Sequence, residues 1–152
     1  MKKLREKKLE KMTFQDVVQK FASGQTLQDQ LGITDETMQK YYEASMSYVA
    51  DQQYKEASDC FLFMLALNPM ESNLWIQAGK AAQCLHEYDE ALQAFSMAMI
   101  FDADDPFPHL YSAEIYKQKN EIESAEKCRE IAMRLIDENP GYAPLKELVA
   151  SF

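Results

Sequence analysis

Apolar and small residues return at helical spacing along most of this chain, and most regularly between Ser72 and Pro106. Trp75, Ala78, Gly79 and Ala82 share one helical face, Ala91, Phe95 and Ala98 share another, and Tyr88 stands at the turn between them. The pattern predicts two helices folded back on each other. It also repeats. Tyr54-Lys55-Glu56-Ala57 becomes Tyr88-Asp89-Glu90-Ala91 and then Ile122-Glu123-Ser124-Ala125, so the alanines at 57, 91 and 125 stand 34 residues apart. That period in a helix–turn–helix unit is the signature of a tetratricopeptide (TPR) array, an all-α, right-handed superhelical solenoid.

Three repeats, at 38–71, 72–105 and 106–139, make up the array. In the first, Thr34 or Asp35 is the expected cap of a helix that buries Tyr41, Ala44, Ser45 and Tyr48. The second helix of that repeat buries Ala57, Phe61 and Met64 and stops at Asn68-Pro69. Small residues at 44, 78 and 112 and at 45, 79 and 113 let paired helices approach closely, while large ones such as Phe61 and Phe95 fill the space between pairs. In the third repeat His109 stands where Tyr41 and Trp75 stood, and Arg129 replaces Phe61 and Phe95. Such divergence suits a terminal repeat with one neighbour.

Residues 1–12 form a basic extension, and 13–37 a helical segment ahead of the array. Within it Thr13 caps a helix whose stripe of Phe14, Val17, Val18 and Phe21 needs a partner, either the chain's own repeats or a second copy in a homodimer. Ser23-Gly24 ends that helix. Thr26 with Asp29 then opens a short helical turn holding Leu27 and Leu31, and Gly32 closes it. After the array, Pro140, Gly141 and Pro144 interrupt the helix, and residues 140–152 are expected to form a capping helix with Leu145, Leu148, Val149 and Phe152 on its apolar side.

Composition narrows the function. The 152 residues carry a formal charge of −9, but residues 1–12 hold six Lys/Arg against two Glu, which leaves −13 on the remainder. An acidic body repels a phosphate backbone, so nucleic acid is a poor partner and a basic or amphipathic protein segment a better one. The basic start has no apolar core behind it and does not read as a secretory signal, and no run is long enough to span a bilayer. Cys60, Cys84 and Cys128 lack metal-ligand spacing and read as reduced, buried thiols of a cytoplasmic protein.

Nothing suggests an enzyme or a cofactor. His86 and His109 have no carboxylate or cysteine partner at triad or metal spacing, and no glycine loop cradles a phosphate. The acids around Asp102, Asp104 and Asp105 lack the glycine and distal glutamate of a calcium loop; Asp105 before Pro106 reads instead as an N-cap with proline at the first helical position.

The first helix of each repeat lines the concave side of a TPR array. Subtracting the core positions leaves four rows for that hollow: Gln39, Asn73, Phe107; Tyr42, Ile76, Leu110; Met46, Lys80, Glu114; and Val49, Gln83, Lys117. One row is wholly apolar or aromatic. With Phe107, Tyr111 and Met46 beside it, it offers pockets for spaced apolar side chains of an extended peptide. A carboxylate clamp for acidic tails is not expected, because Tyr42, Met46, Gln77, Phe107 and Tyr111 occupy the places its cations would need.

The ordered combination of Ser23-Gly24-Gln25-Thr26-Leu27, Ile33, Tyr41-Tyr42 to Tyr48, three TPRs and a short capping helix resembles the class II chaperones of bacterial type III secretion systems. The resemblance spans roughly residues 13–150. It implies a cytoplasmic, non-catalytic chaperone without cofactors that holds hydrophobic, pore-forming translocators before export, together with homodimerisation through the N-terminal helices. It further implies that an extended PxLxxP-like translocator segment lies in the groove, against Tyr42, Met46, Val49, Ile76, Phe107, Leu110 and Tyr111, and the rows of the hollow add Asn73 and Lys80 to the expected peptide-binding residues. Met46 and Val49 stand where relatives often carry aromatic residues. The alternatives are a generic TPR adaptor and an oligomerisation scaffold not tied to secretion.

Overall fold

The 34-residue step is present in the backbone as well as in the sequence. The computed structural model describes residues 23–151. A short helix α1 (Leu27–Leu31) precedes three helix pairs: α2 (Asp35–Ala50) with α3 (Tyr54–Leu67), α4 (Ser72–Cys84) with α5 (Tyr88–Phe101), and α6 (Phe107–Gln118) with α7 (Ile122–Glu138). A 3-10 segment (Pro140–Leu145) and α8 (Lys146–Ala150) follow.

The second helices begin at equivalent positions, Tyr54, Tyr88 and Ile122. Ahead of them Gln52, His86 and Asn120 each adopt a left-handed conformation, with φ of 59°, 62° and 62°. The next residue then donates its N–H back into the first helix, from Gln53, Glu87 and Glu121 to the carbonyls of Tyr48, Ala82 and Tyr116 at 2.8, 2.9 and 2.8 Å. Each turn thus reverses the chain and satisfies a carbonyl that the helix end would leave bare. Of the three residue types, only asparagine enters this region at little steric cost.

Each pair packs internally, and the second helix of one pair packs on the first helix of the next. Ala57, Phe61 and Met64 of α3 share a cluster with Leu74 and Ala78 of α4. A second cluster joins Ala82, Ala91, Phe95 and Ile115. Gly79 shows why small residues recur, since a Cβ there would stand 2.6 Å from Cε1 of Phe95. The Phe95 ring needs that bare backbone, and a larger residue would overpack the pair by about 1–3 kcal/mol.

Local capping follows the sequence in two places. Thr26 and Asp29 make a reciprocal capping box on α1, and Gly32 closes that helix at φ 64°. Thr34 caps α2 by accepting from the Thr37 N–H.

Several expectations need correction. Ser45 is fully buried, with its hydroxyl donating to the Tyr41 carbonyl at 2.7 Å, but Tyr41 and Tyr48 are 41% and 37% exposed and Ala44 is open as well. Tyr41 still meets Phe63 of α3 edge-on at 6.0 Å, and the rest of this face is turned to where a preceding pair would lie. Phe107 starts α6, so Pro106 is its N-cap and not its first residue. Asp105 lies one residue earlier and accepts from the Phe107 N–H at 2.8 Å. Cys84, at the end of α4, is exposed, while Cys60 and Cys128 are half-buried and burial raises the Cys128 thiol pKa. At the C-terminal end Val149 is buried but Leu148 is 64% exposed, since neighbouring residues of a helix point about 100° apart and only one of the two faces inward. Phe152 and the Phe14, Val17, Val18 and Phe21 stripe lie outside the described residues.

Candidate functional site

Side-chain bonds tie the first helices of the three pairs into one surface. Asn73 Nδ2 on α4 donates to the Tyr42 hydroxyl on α2 at 3.2 Å. Gln83 Nε2 on α4 donates to the Glu114 carboxylate on α6 at 3.2 Å. Lys80 Nζ on α4 stands 5.3 Å from the centre of the Tyr111 ring on α6, a cation–π distance. In an array of this kind the surface carried by the first helices is the concave one.

The predicted groove residues fall along it in two groups. Tyr42, Met46 and Val49 of α2 are half-buried and pack on the first core cluster, with the Tyr42 ring 6.1 Å from that of Phe61. Phe107, Leu110 and Tyr111 of α6 are half-buried too. There Tyr111 stacks on Phe95 at 5.4 Å and on Phe107 at 6.2 Å, and Phe107 meets Tyr142 edge-on at 6.0 Å. Between the groups Ile76 is only 8% exposed. The apolar row is therefore accessible at its two ends and nearly closed at its centre, whereas Asn73 is exposed and Lys80 half-buried beside it.

Two hollows match those ends. One, of about 330 Å³, lies beside Tyr42, with Met38, Met64 and Leu74 among its apolar lining and Asn73 at its edge. The other, of about 350 Å³, lies beside Tyr111, with Lys80, Gln83 and Glu114 among its polar lining. Sequence reasoning named Tyr42, Asn73, Lys80 and Tyr111 but missed Gln28, Asn68 and Glu71 at the first hollow and His86 and Tyr88 at the second. Those residues sit in α1, at helix ends and in turns, which rows drawn only through the first helices do not sample. Tyr142 was also missed, although an aromatic between Pro140 and Pro144 is a signal for a side chain folded back on the array.

Among the described residues no group of His, Cys, Asp and Glu is arranged to hold a metal ion, and no helix is long and apolar enough to cross a membrane. His109 is half-buried, and burial, aided by the Arg134 charge, lowers its pKa. His86 is exposed and bonds the Tyr88 hydroxyl at 2.9 Å.

This arrangement has close counterparts. The Yersinia enterocolitica type III secretion chaperone SycD, solved in complex with a peptide of the translocator YopD, superposes with a TM-score of 0.73 at 25% identity, over 78% of this chain and 91% of that one. The chain is a relative of the type III secretion translocator chaperones. SycD has also been solved as an alternative dimer. The CopN–Scc3 complex contains a chain that matches with a TM-score of 0.79 at 29% identity, covering 84% of this chain and 75% of that one. In sequence, low calcium response locus protein H of Yersinia pseudotuberculosis is 26% identical over 119 residues, which is 78% of this chain and 71% of the relative. No family model matches the chain. Another structure of the Yersinia enterocolitica translocator chaperone SycD superposes with a TM-score of 0.79 at 25% identity, over 83% of this chain and 94% of that one.

Proposed function

We propose that this protein is a type III secretion chaperone whose concave surface holds an extended, apolar-anchored segment of a pore-forming translocator. The observation that carries the reading is the pair of half-buried aromatic groups, Tyr42 on α2 and Phe107 with Tyr111 on α6, on one face of the array. The relatives support it, since SycD is described as a translocator chaperone and as a complex with a translocator peptide.

The chemistry is binding without catalysis. A translocator's membrane-inserting segments aggregate when exposed to water, and a groove that captures an adjoining extended stretch keeps the cargo soluble and unassociated until export. Two or three anchors buried at about 1.5–3 kcal/mol each, less the cost of ordering the peptide, give roughly micromolar affinity for an isolated segment. The setting that suits this role is the bacterial cytoplasm. A second copy of the chain, engaged through the Phe14, Val17, Val18 and Phe21 stripe, belongs to the same reading.

The test is a fluorescence polarisation titration with a labelled PxLxxP peptide. Tyr42→Ala and, separately, Leu110→Glu are expected to weaken binding at least tenfold while helical content by circular dichroism stays unchanged. Wild-type affinity in both variants would remove the groove from the function and leave a generic adaptor or an oligomerisation scaffold.

A further inference from the structure

The two hollows differ in charge. The second contains the Lys80 ammonium, held over Tyr111, and one carboxylate, Glu114, so its formal charges offset. The first contains no cation and two carboxylates, Asp35 and Glu71. Asp35 accepts one hydrogen bond, from Gln28 Nε2 at 2.8 Å, and among the described residues neither acid belongs to an ion pair. Other exposed acids do pair, as Glu36 with Lys40 at 2.7 Å and Asp59 with Lys55 at 2.9 Å. Asp35 opens α2 and Glu71 precedes α4, so each helix start offsets about half a charge, and the rim stays net negative.

We propose that this first hollow is a specificity pocket for a lysine or arginine side chain of the cargo, next to the apolar anchor that packs on Tyr42. The inference rests on the groove reading above. Its geometry is that of a long cationic side chain, with Met38, Met64 and Leu74 to cover an aliphatic stem and the carboxylates near the opening to meet the charged head. Volume agrees, since about 330 Å³ holds one extended side chain and a few waters but not a folded element. Charge complementarity also gives the groove a direction. A cation is favoured at the Asp35 end over the Lys80 end, where Lys80 and Glu114 offset each other, so a peptide with one basic flank prefers one orientation.

The experiment uses the full-length protein and, for each flank of the anchor, a set of three labelled PxLxxP peptides that differ only in carrying lysine, glutamine or glutamate beside it. On one flank the lysine peptide is expected to bind three- to tenfold more tightly than the glutamine peptide, with glutamate weakest. The advantage should shrink in high salt, as partly exposed charges are screened. It should vanish in the Asp35→Asn, Glu71→Gln double variant, which keeps the acceptor for Gln28 and should retain wild-type helical content by circular dichroism, with a small fall in melting temperature as two helix starts lose their carboxylates. Equal binding of lysine and glutamine peptides on both flanks would overturn the pocket while leaving the groove intact. So would a lysine advantage that survives in the double variant. Failure of every peptide in both sets to bind, with Tyr42→Ala indistinguishable from wild type, would overturn the groove reading and this inference together.

Discussion

Ala44 and Ala78 hold the same place in consecutive repeats, yet Ala78 is 5% exposed while Ala44 lies open to solvent. Their neighbours differ in the same sense. Tyr48 is exposed where Ala82 is buried, and Tyr41 is exposed where Trp75 is half-buried with its indole N–H donating to the Pro69 carbonyl at 2.8 Å. A second row behaves otherwise, for Ser45, Gly79 and Ala113 are buried in every pair. The difference lies in what each row faces. Gly79 meets Phe95 and the Ser45 hydroxyl lies 3.9 Å from the Met64 sulfur, so this row packs on the second helix of its own pair. The Ala78 row packs on the preceding pair, as its cluster with Phe61 and Leu65 shows. A helix pair thus satisfies one row by itself and needs a neighbour for the other.

The largest expected effect comes where both kinds of contact converge. Phe95 is fully buried, lies against Gly79 of its own pair and stacks on Tyr111 of the next. Phe95→Ala should therefore cost about 3–5 kcal/mol in urea unfolding. Phe63 on the outer side of the first pair is 54% exposed, and Phe63→Ala should cost less than about 1 kcal/mol. Similar losses from the two would mean that the outer side of the first pair is covered as fully as the interior.

A sharper form of the comparison uses one substitution at two equivalent sites. Ala78→Leu adds volume between packed pairs and should cost about 1–3 kcal/mol. Ala44→Leu adds it to an open face and should stay within about 0.5 kcal/mol of wild type. Thermal melts of the two variants decide the matter, since a loss at Ala44 matching that at Ala78 would place a covering element over α2.

These rows also show how far the sequence could be read. Periodicity marks which residues are small or large at each repeat position, and that was enough for the helix pairs, for Phe61 and Phe95 as core, and for the close approach at Gly79. It does not mark whether a neighbouring pair is present, so Tyr41, Ala44 and Tyr48 looked like core because their counterparts are. The half-buried positions on the shared surface of the first helices were legible for the same reason as the core, being what remains on those helices after subtraction. The closing of Ile76 was not, because it depends on how tightly adjacent first helices approach. The hollow beside Tyr42 was missed because α1 and the turn at Asn68 contribute to it, as the bond from Asn68 Nδ2 to Gln28 at 3.3 Å records. Residues 40 apart in sequence carry no common period.

The third member of the Tyr41 and Trp75 row is His109, which makes the neighbour effect measurable by pH. His109 is half-buried, and burial followed by the Arg134 charge puts its folded pKa below the ordinary value of 6.5. The folded state then prefers the neutral ring, and the unfolded chain binds the proton more readily. Stability linked to this group is fully present above that ordinary value and is lost as the pH falls through it toward the folded pKa. Between about pH 7.5 and about pH 5.5 the wild-type urea midpoint should fall more than that of His109→Gln, with the excess belonging to the ring. Parallel midpoints for wild type and His109→Gln would mean that the preceding pair leaves His109 well solvated, and the neighbour account of this row would fail at its third repeat.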